Sequence, residues 1–204
     1  MKPSETSLIL SAQRGDLDAF NVLVQTYQDM LYRIALRIVN DECLAEDAVQ
    51  EAVIHAFQRI RSFRGGNFKS WLARVTINAS YDELRRSKRH LGLPLEQFSS
   101  EGEEIESPEW MRDPAAGPEE RAEMSELQKA LHRCIKSLTP DYRLMVVLVD
   151  MEGMSYEEAA QTARVPVGTV KSRLARARMQ IRQSLRSYQS LLPAFYQQEL
   201  MASA

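Results

Sequence analysis

Cysteine, glycine and proline are scarce in this 204-residue sequence, and long apolar runs are absent from it. The two cysteines, Cys43 and Cys134, are too few and too far apart for a disulfide framework or a thiolate metal site, so we expect a protein of the reducing cytoplasm. The first residues contain no apolar signal-peptide core, and no run approaches the roughly 20 apolar residues that span a bilayer. The sequence therefore predicts neither export nor membrane insertion.

The features that enzymes and metalloproteins need are missing as well. The three histidines, His55, His90 and His132, lie far apart and have no metal-ligand spacing. No glycine-rich phosphate loop accompanies them, and the sequence suggests no convergent acid, base and nucleophile. We therefore expect no catalytic activity, no metal ion and no cofactor.

Negative charge is concentrated in one segment of the chain. The net charge of -2 is the sum of +2 for residues 1–89, -9 for residues 90–128 and +5 for residues 129–204. Nucleic-acid binding depends on a local basic surface and not on the charge of the whole chain. The two slightly basic lobes therefore leave nucleic acid open as a partner.

The acidic segment also has the composition of a linker, because prolines and glycines interrupt every periodic pattern in it. Its prolines are Pro94, Pro108, Pro114 and Pro118. We expect an acidic flexible linker over residues 90–124 between a first lobe, residues 1–89, and a second lobe, residues 125–186. The tail, residues 187–204, is expected to cap the second lobe, with a partner contact as the alternative.

Apolar residues recur with helical periodicity through the first lobe. Asn40 is predicted to end one helix and Asp41 to cap the next. This next helix has an alanine-rich apolar face, to which Phe57 belongs, and we expect its polar face to have no partner within the chain. The polar face consists of Glu46, Asp47, Gln50, Glu51 and Gln58. A third helix is predicted over residues 68 to about 88.

The second lobe has the pattern of four short helices. Thr139 followed by Pro140 predicts one helix start, and Gly153 predicts the end of that helix. Ser155 and Glu158 have the spacing of a capping box for the next helix. No stretch of the sequence alternates convincingly with a period of two. The sequence thus predicts an all-α protein of two small helical bundles, the second a helix-turn-helix.

The last of these helices, Val167 to about Leu185, is predicted to bind duplex DNA. Its apolar residues Val170, Leu174, Ala177 and Ile181 share one face, which we expect to be buried. Residues 167–186 include 6 basic and no acidic residues. The small residues Gly168, Thr169 and Ser172 allow a close approach to base edges, and the arginines reach phosphates or guanine.

Basic and aromatic side chains are interleaved over residues 61–89, a composition that suits a nucleic-acid strand with exposed bases. Two interpretations stay open for Phe68 and Trp71, whose rings either stack on bases or fill the core of the bundle. The loop at residues 65–67 contains two glycines, which permit unusual backbone angles. We predict that this loop forms a pocket for one extruded base.

These segments resemble a known family. The runs AEDAVQE (45–51), FRG (63–65) and FKSWLARVTIN (68–78) resemble conserved region 2 of the extracytoplasmic-function (ECF) subfamily of bacterial RNA polymerase sigma factors. The runs SYEEAA (155–160) and PVGTVKSRLARAR (166–178) resemble region 4 of the same proteins. The two blocks occur in the order and spacing of the family.

The resemblance implies four contacts, three of which can be assigned to residues by position. The first lobe would bind the clamp helices of the largest subunit of core RNA polymerase through Glu46, Asp47, Gln50 and Glu51. It would bind and melt the minus-ten promoter element through Arg64, Gly66, Asn67, Phe68, Lys69 and Asn78. The second lobe would touch the flap of the second-largest subunit and read the minus-thirty-five element as duplex through Thr169, Lys171, Ser172, Arg173 and Arg176.

The resemblance also implies an anti-sigma factor that covers both lobes. It places the acidic linker inside the polymerase, where it either mimics nucleic acid or serves only as a solvated tether. Two rival classes stay open from the sequence. A stand-alone helix-turn-helix regulator would explain the basic last helix but not the first lobe, and a pure adaptor would show no promoter specificity.

Overall fold

The computed structural model describes residues 3–90 and 118–191, which form helices joined by short turns. The first lobe contains α1 (Glu5–Gln13), α2 (Leu17–Val39), α3 (Glu42–Arg59), a 3-10 turn (Ile60–Ser62) and α4 (Phe68–His90). The second lobe contains α5 (Pro118–Ser137), α6 (Pro140–Met145), a π-helical segment (Val146–Met151), α7 (Tyr156–Ala163), α8 (Val167–Leu185) and a 3-10 segment (Arg186–Leu191). No strand occurs within these two ranges, and the prediction of an all-α fold is confirmed.

Helix α2 is the central element of the first lobe, because it packs against α1, α3 and α4. Leu31, Ile34 and Ala35 of this helix are completely buried. Helix α3 approaches α2 and α4 through a row of small buried residues: Ala45, Ala48, Ala52 and Ala56. The small side chains bring the backbones close together, which leaves the opposite side of α3 on the surface.

Three of the helix boundaries that the sequence predicts are confirmed. Asn40 ends α2 in the left-handed conformation with a φ of 57°. Asp41 accepts a 2.8 Å hydrogen bond from the backbone N–H of Leu44 at the start of α3. Ser155 and Glu158 form the reciprocal capping box at the start of α7.

Two features of the helices were not predicted. Helix α1 precedes the periodic pattern and is held by buried Ala12 and by side-chain hydrogen bonds to later residues. The segment expected to be one continuous helix changes from α to π at Val146, and Val146, Val147 and Leu148 are all buried there. Hydrophobic periodicity predicts that such a run is buried and helical, but it does not distinguish a π turn from an α turn.

The linker is shorter than predicted at its C-terminal end. Helix α5 begins at Pro118, so residues 118–124 are helical and the prediction of a linker there is wrong. Proline at the first helical position, followed by Glu119 and Glu120, favours a helix start. Residues 91–117 of the linker and 192–204 of the tail lie outside the described residues. The described beginning of the tail packs on α5 and α8.

The two lobes contact each other directly, which the sequence did not predict. Helix α7 packs against α4, and the π-helical segment contacts α2. Most polar contacts between the lobes join charged or amide side chains of α2, of α4 and of the loop before α4 to groups of the second lobe. This arrangement places part of the second lobe beside the loop before α4.

Candidate nucleic-acid interface

A cleft of about 190 Å³ lies at the N-terminal end of α4. It is lined by Ser62, Phe63, Arg64, Gly65, Gly66, Asn67, Ser70, Trp71, Arg74 and Gln161. Gly65 and Gly66 have φ angles of 92° and 97°, a conformation that a residue with a Cβ atom rarely adopts. The structure therefore places a cleft at the loop where the sequence predicts a base-binding pocket.

Two polar groups in this cleft have different roles. The side-chain oxygen of Asn67 accepts a 2.9 Å hydrogen bond from the backbone N–H of Ser70, so Asn67 caps the start of α4. Its amide nitrogen donates a 2.6 Å hydrogen bond to Glu158 of α7. The Ser70 hydroxyl is buried and has no hydrogen-bond partner among the described residues. This hydroxyl is an unused donor and acceptor in the wall of the cleft.

The other residues of the first lobe that were predicted to contact the minus-ten element are spread along the loop and α4. Arg64 is exposed on the loop, and the ammonium group of Lys69 lies 3.4 Å from the backbone oxygen of Glu152. Asn78 is exposed on α4, ten positions after Phe68, which corresponds to about 15 Å along a helix. The structure thus brings Arg64, Gly66 and Asn67 together in the lining of the cleft, and Lys69 and Asn78 lie outside this lining.

The two aromatic residues of this region have separate environments. Phe68 is only 1% exposed, and its ring packs 5.5 Å from the rings of both Phe63 and Trp71. The prediction that Phe68 contacts DNA is therefore wrong for this structure, because its ring fills the core beneath the loop. Trp71 is half-buried and lines the cleft, so its ring is the one placed to contact a base.

Helix α8 presents the polar surface that the sequence predicts. Val170, Leu174 and Ala177 are buried and Ile181 is partly buried. Of the five residues predicted to contact the minus-thirty-five element, Lys171, Ser172 and Arg176 are exposed, whereas Thr169 and Arg173 are half-buried. All five lie on the exposed or flanking sides of the helix.

The basic residues of α8 differ in their interaction partners within the protein. Arg173 forms a 2.7 Å ion pair with Asp141 of α6, and the Lys171 ammonium lies 5.7 Å from the Tyr156 ring centroid. Arg176 has no hydrogen bond or ion pair among the described residues and lies near the centre of the exposed face. It is therefore the arginine of this helix that is most available to a base edge.

A second surface lies on α3. Glu46, Asp47 and Gln50 are exposed as predicted. Glu51 is half-buried, and its carboxylate accepts two 2.6 Å hydrogen bonds from Arg86 of α4, so the expectation of no internal partner is wrong for Glu51. The exposed polar residues adjoin two apolar side chains, Ile54 and Phe57, which are 56% and 36% exposed. The sequence had placed Phe57 on the buried face and gave no signal for Ile54.

A network of charged and polar side chains joins the lobes. Arg33 of α2 donates hydrogen bonds of 2.9 and 2.6 Å to the two carboxylate oxygens of Glu152, whose side chain is only 2% exposed. The hydrogen bond and charge of Glu152 raise the pKa of Arg33. Arg37 donates to His132 Nδ1, and His132 Nε2 donates to Asn40 at 3.1 Å. Burial, together with neighbouring cations, lowers the pKa of His132 to about 4.

Metal-ligating groups do not converge in the described part of the chain. Among residues 3–90 and 118–191, no three histidine, cysteine, aspartate or glutamate side chains are placed to hold a metal ion. His55 lies beside Glu51, and His132 lies between the lobes. In the same two ranges, no helix has the length and apolarity to cross a bilayer.

Comparison with known protein families matches both lobes. Residues 23–90 match the Sigma-70 region 2 family, and residues 128–181 match the family described as Sigma-70, region 4. The sigma-H factor of Pseudomonas aeruginosa RNA polymerase is 34% identical over 183 residues, which cover 89% of this chain and 93% of that protein. The chain belongs to the ECF family of RNA polymerase sigma factors.

Other relatives support the same assignment. The ECF sigma factor SigE of Mycolicibacterium smegmatis is 33% identical over 93% of this sigma factor and 70% of its own length. The ECF sigma-E factor of Escherichia coli is 36% identical over 84% of this chain and 88% of its own length. This sigma factor accordingly binds core RNA polymerase, recognises minus-thirty-five and minus-ten elements and promotes DNA opening. The interpretation as a stand-alone regulator is not retained.

Two solved structures have a similar fold. CnrH, in complex with the cytosolic domain of CnrY, has a TM-score of 0.64, with 23% identity over 88% of this chain and 96% of CnrH. The sigma factor RpoE, in complex with the anti-sigma factor NepR from Bartonella quintana, has a TM-score of 0.62, with 23% identity over 83% of this chain and 98% of RpoE. At this identity, the likeness concerns the fold alone.

The geometry adds residues that the sequence did not single out. Ser70 and Gln161 line the cleft, together with Arg74, which the sequence gave only as one of the basic residues interleaved with aromatics. Ser70 carries no sequence signal, because a serine inside a helix is usually a neutral surface residue. Gln161 lies about ninety residues later in the chain, so only the packing of α7 on α4 brings it to this place.

Proposed function

We propose that the cleft before α4 holds one extruded base of the melted minus-ten strand. The single observation that carries this proposal is the combination of a glycine rim at Gly65 and Gly66 with an unpartnered buried hydroxyl at Ser70. Trp71 supplies an aromatic face, and Asn67 supplies an amide that donates to a base acceptor. Binding of the extruded base offsets the few kcal/mol that unpairing costs.

The second lobe, in this proposal, reads the minus-thirty-five duplex through α8. Arg176 contacts a base edge, because it is exposed near the centre of the polar face without a described partner. Arg173 and Lys171 contact phosphates from the flanks, where Asp141 and Tyr156 orient them. The residues that position the helix and those that read sequence are therefore different.

The exposed side of α3 is the proposed contact for the clamp helices of core polymerase. It combines exposed Asp47 and Gln50 with exposed apolar surface at Ile54 and Phe57. An apolar centre with a polar rim is typical of a protein interface. The proposal leaves Glu51 out of the direct contact, because Arg86 already holds its carboxylate. The flap of the second-largest subunit is proposed to contact the second lobe.

An anti-sigma factor is also a proposed partner. The two solved structures of similar fold are complexes, one with an anti-sigma factor and one with the cytosolic domain of CnrY. We propose further that promoter opening by this sigma factor uses binding energy alone and makes or breaks no covalent bond.

Because core polymerase is found in the cytoplasm, we propose that this sigma factor acts there as well.

The proposed base pocket is tested by the variant Asn67→Ser in transcription with core polymerase, on a promoter chosen by start-site mapping. Serine keeps an oxygen that caps α4 but removes the amide donor. We expect opening of the duplex promoter to fall about tenfold, the effect of one hydrogen bond of about 1.4 kcal/mol. On the same promoter with an unpaired minus-ten element, the loss should be smaller.

Asn21→Ser is the matched control, because Asn21 is exposed on α2 away from the cleft. It should open both templates like the wild type. Equal losses of Asn67→Ser on the duplex and the unpaired template would contradict a role in base extrusion.

A further inference from the structure

The turn between α7 and α8 contains an arginine in an unusual backbone conformation. Arg164 follows the last residue of α7 with φ and ψ angles of 55° and 45°, in the left-handed region. Among residues 3–90 and 118–191, Asn40 is the only other non-glycine residue with a positive φ. Asparagine enters this region readily, whereas the Cβ atom of an arginine crowds the following carbonyl oxygen. The backbone of Arg164 is therefore strained, and a glycine at this position would not be.

Two hydrogen bonds hold this conformation. The backbone N–H groups of Arg164 and Val165 both donate to the backbone oxygen of Ala160, the second at 3.1 Å. Pro166 follows, and α8 begins at Val167. The arrangement satisfies a carbonyl in the last turn of α7 and leads the chain directly into α8. The turn thus fixes the position of Arg164 relative to the first turn of α8.

Within the described part of the chain, no contact of the Arg164 side chain offsets this strain. The side chain is exposed and has no hydrogen bond or ion pair with any described residue. Arg74 of α4 lies nearby: burial lowers the pKa of Arg74, and the positive charge of Arg164 lowers it further. This neighbour is a like charge, which repels the guanidinium of Arg164. A strained residue with an unpaired charge beside another cation points to a contact outside the chain.

The position of Arg164 beside α8 identifies the class of ligand. Val167 comes three residues after Arg164, so their Cα atoms are at most about 11 Å apart. The first turn of α8 is the end that the sequence predicts to approach base edges, and Gly168 in this turn has open space on its Cβ side. The major groove is about 12 Å wide, and the phosphates of both strands border it. A side chain this close to an inserted end of α8 lies at the phosphates of the groove edge.

We propose that Arg164 binds a DNA phosphate at the edge of the major groove of the minus-thirty-five element. A guanidinium suits this ligand, because its planar N–H groups match two phosphate oxygens. The contact carries no sequence information, but it fixes the register of α8 on the duplex. This inference rests on the proposed insertion of α8 into the major groove. The strained backbone is retained because it positions a contact that is made only with DNA.

Four variants of the full-length chain, each assembled with core polymerase, test this contact. Arg164→Gly removes both the charge and the backbone strain, whereas Arg164→Lys keeps the charge. Arg14→Gly is the matched control, because Arg14 is exposed at the C-cap of α1 with an ordinary φ of -82°. Arg176→Ala reports separately on the insertion of α8. Binding of a promoter fragment is measured as a function of salt concentration, and the free chains are unfolded in urea.

Arg164→Gly should bind the promoter about fivefold more weakly than the wild type, which corresponds to about 1 kcal/mol. The dependence of the logarithm of the binding constant on the logarithm of the salt concentration should become shallower by about one, as for one lost phosphate contact. The urea midpoint should rise, because glycine relieves the strain. Arg164→Lys should keep the wild-type salt dependence and midpoint. Arg14→Gly should keep wild-type binding and salt dependence and should not raise the midpoint.

A scan with single methylphosphonates, each of which replaces one charged phosphate by a neutral group, locates the contact on the promoter. For the wild type, neutralisation of the contacted phosphate should weaken binding by about the same factor of five. For Arg164→Gly, the same replacement should weaken binding no further, since the partner is already absent. The contacted phosphate should border the minus-thirty-five element.

The outcomes distinguish this contact from the insertion of α8. If Arg164→Gly alone keeps the affinity and salt dependence of the wild type, α8 stays inserted and the phosphate contact is overturned. An equal loss of affinity in Arg14→Gly would overturn it as well, because it would indicate a general effect of charge. A urea midpoint of Arg164→Gly at or below the wild-type value would refute the strain. If Arg176→Ala binds every promoter sequence like the wild type, the insertion of α8 fails, and a groove-edge contact of Arg164 fails with it.

Discussion

The side-chain amide of Gln13 donates a 2.7 Å hydrogen bond to the backbone oxygen of Phe63, a residue 50 positions later in the chain. The same amide donates to the backbone oxygen of Ile60 at 3.2 Å. Helix α1 thereby fixes the backbone that leads into Gly65 and Gly66. The position of the proposed base-binding loop depends on a helix that carries no predicted DNA contact.

Replacement of Gln13 by alanine should therefore affect both stability and opening. Two backbone acceptors lose their partner, so the free energy of unfolding should fall by about 1–2 kcal/mol in urea titrations. Opening of a duplex promoter should fall as well, because the loop loses its anchor. Gln25→Ala, at an exposed position of α2, is the control and should change neither. A stability loss with unaltered opening would show that α1 does not position the loop.

The exposed apolar surface of α3 predicts a sensitive contact with core polymerase. Ile54→Asp should weaken core binding at least tenfold in a competition assay, because it places a charge in the apolar centre of the proposed interface. Its folding should be unaffected, since Ile54 is 56% exposed. Gln25→Asp, at an exposed position of α2, is the matched charge control. Similar affinities for both variants would exclude this face as the clamp contact.

Substitutions of different arginines of α8 should have different effects on binding to the minus-thirty-five element. Arg176→Ala should cost roughly 1–3 kcal/mol in affinity and relax the sequence preference at one position, as for a base contact. Arg173→Ala removes the same charge from the flank of the helix, where Asp141 holds the guanidinium. It should weaken all sequences alike and lower the salt dependence. An unchanged preference in Arg176→Ala would identify Arg176 as a phosphate contact.

The buried imidazole of His132 predicts loss of stability in acid. Its pKa in the folded protein, about 4, lies below the usual value of 6.5, with burial as the main cause and Arg37, Lys136 and Arg143 as nearby cations. The unfolded chain therefore takes up a proton near pH 6.5, whereas the folded chain stays neutral until about pH 4. As the pH is lowered through this window, the free energy of unfolding should decrease. The contribution of His132 to this decrease is at most about 1.4 kcal/mol per pH unit.

The variant His132→Gln isolates that contribution from the carboxylates that titrate in the same range. Urea titrations between pH 7 and about 4 should show a shallower pH dependence for His132→Gln than for the wild type. Gln25→Ala, a substitution of an exposed side chain of α2 that does not titrate, provides the comparison and should keep the wild-type slope. Identical slopes in all three proteins would refute the assignment to His132.

The local signals in this sequence were sufficient to predict several of its helix boundaries, although they gave neither α1 nor the π-helical segment. Three helix boundaries depend only on interactions between residues within four positions of each other. They are the left-handed Asn40, the N-cap Asp41 and the capping box of Ser155 and Glu158. A short segment of sequence is therefore enough to predict them. The buried face of α8 follows from its helical period in the same way. The family followed from motifs whose order and spacing are likewise written along the chain.

Tertiary packing decided which of the candidate residues are available to contact nucleic acid. Phe68 and Trp71 are three positions apart and equally aromatic, yet one is buried under the loop and the other lines the cleft. Arg173 and Arg176 are equally basic, but only Arg173 meets Asp141. Their partners come from other helices, and no local pattern specifies which distant helix will be near.

The sequence by itself determined that this chain forms helices, that it forms two basic lobes and that it belongs to the sigma factors, because these properties reside in composition and short-range spacing. Only the tertiary structure decided that Glu152 faces Arg33 and that α7 covers the start of α4. Contacts across such long stretches of chain arise when two lobes bury surface together, and their energy depends on the positions of groups that the order of residues does not reveal.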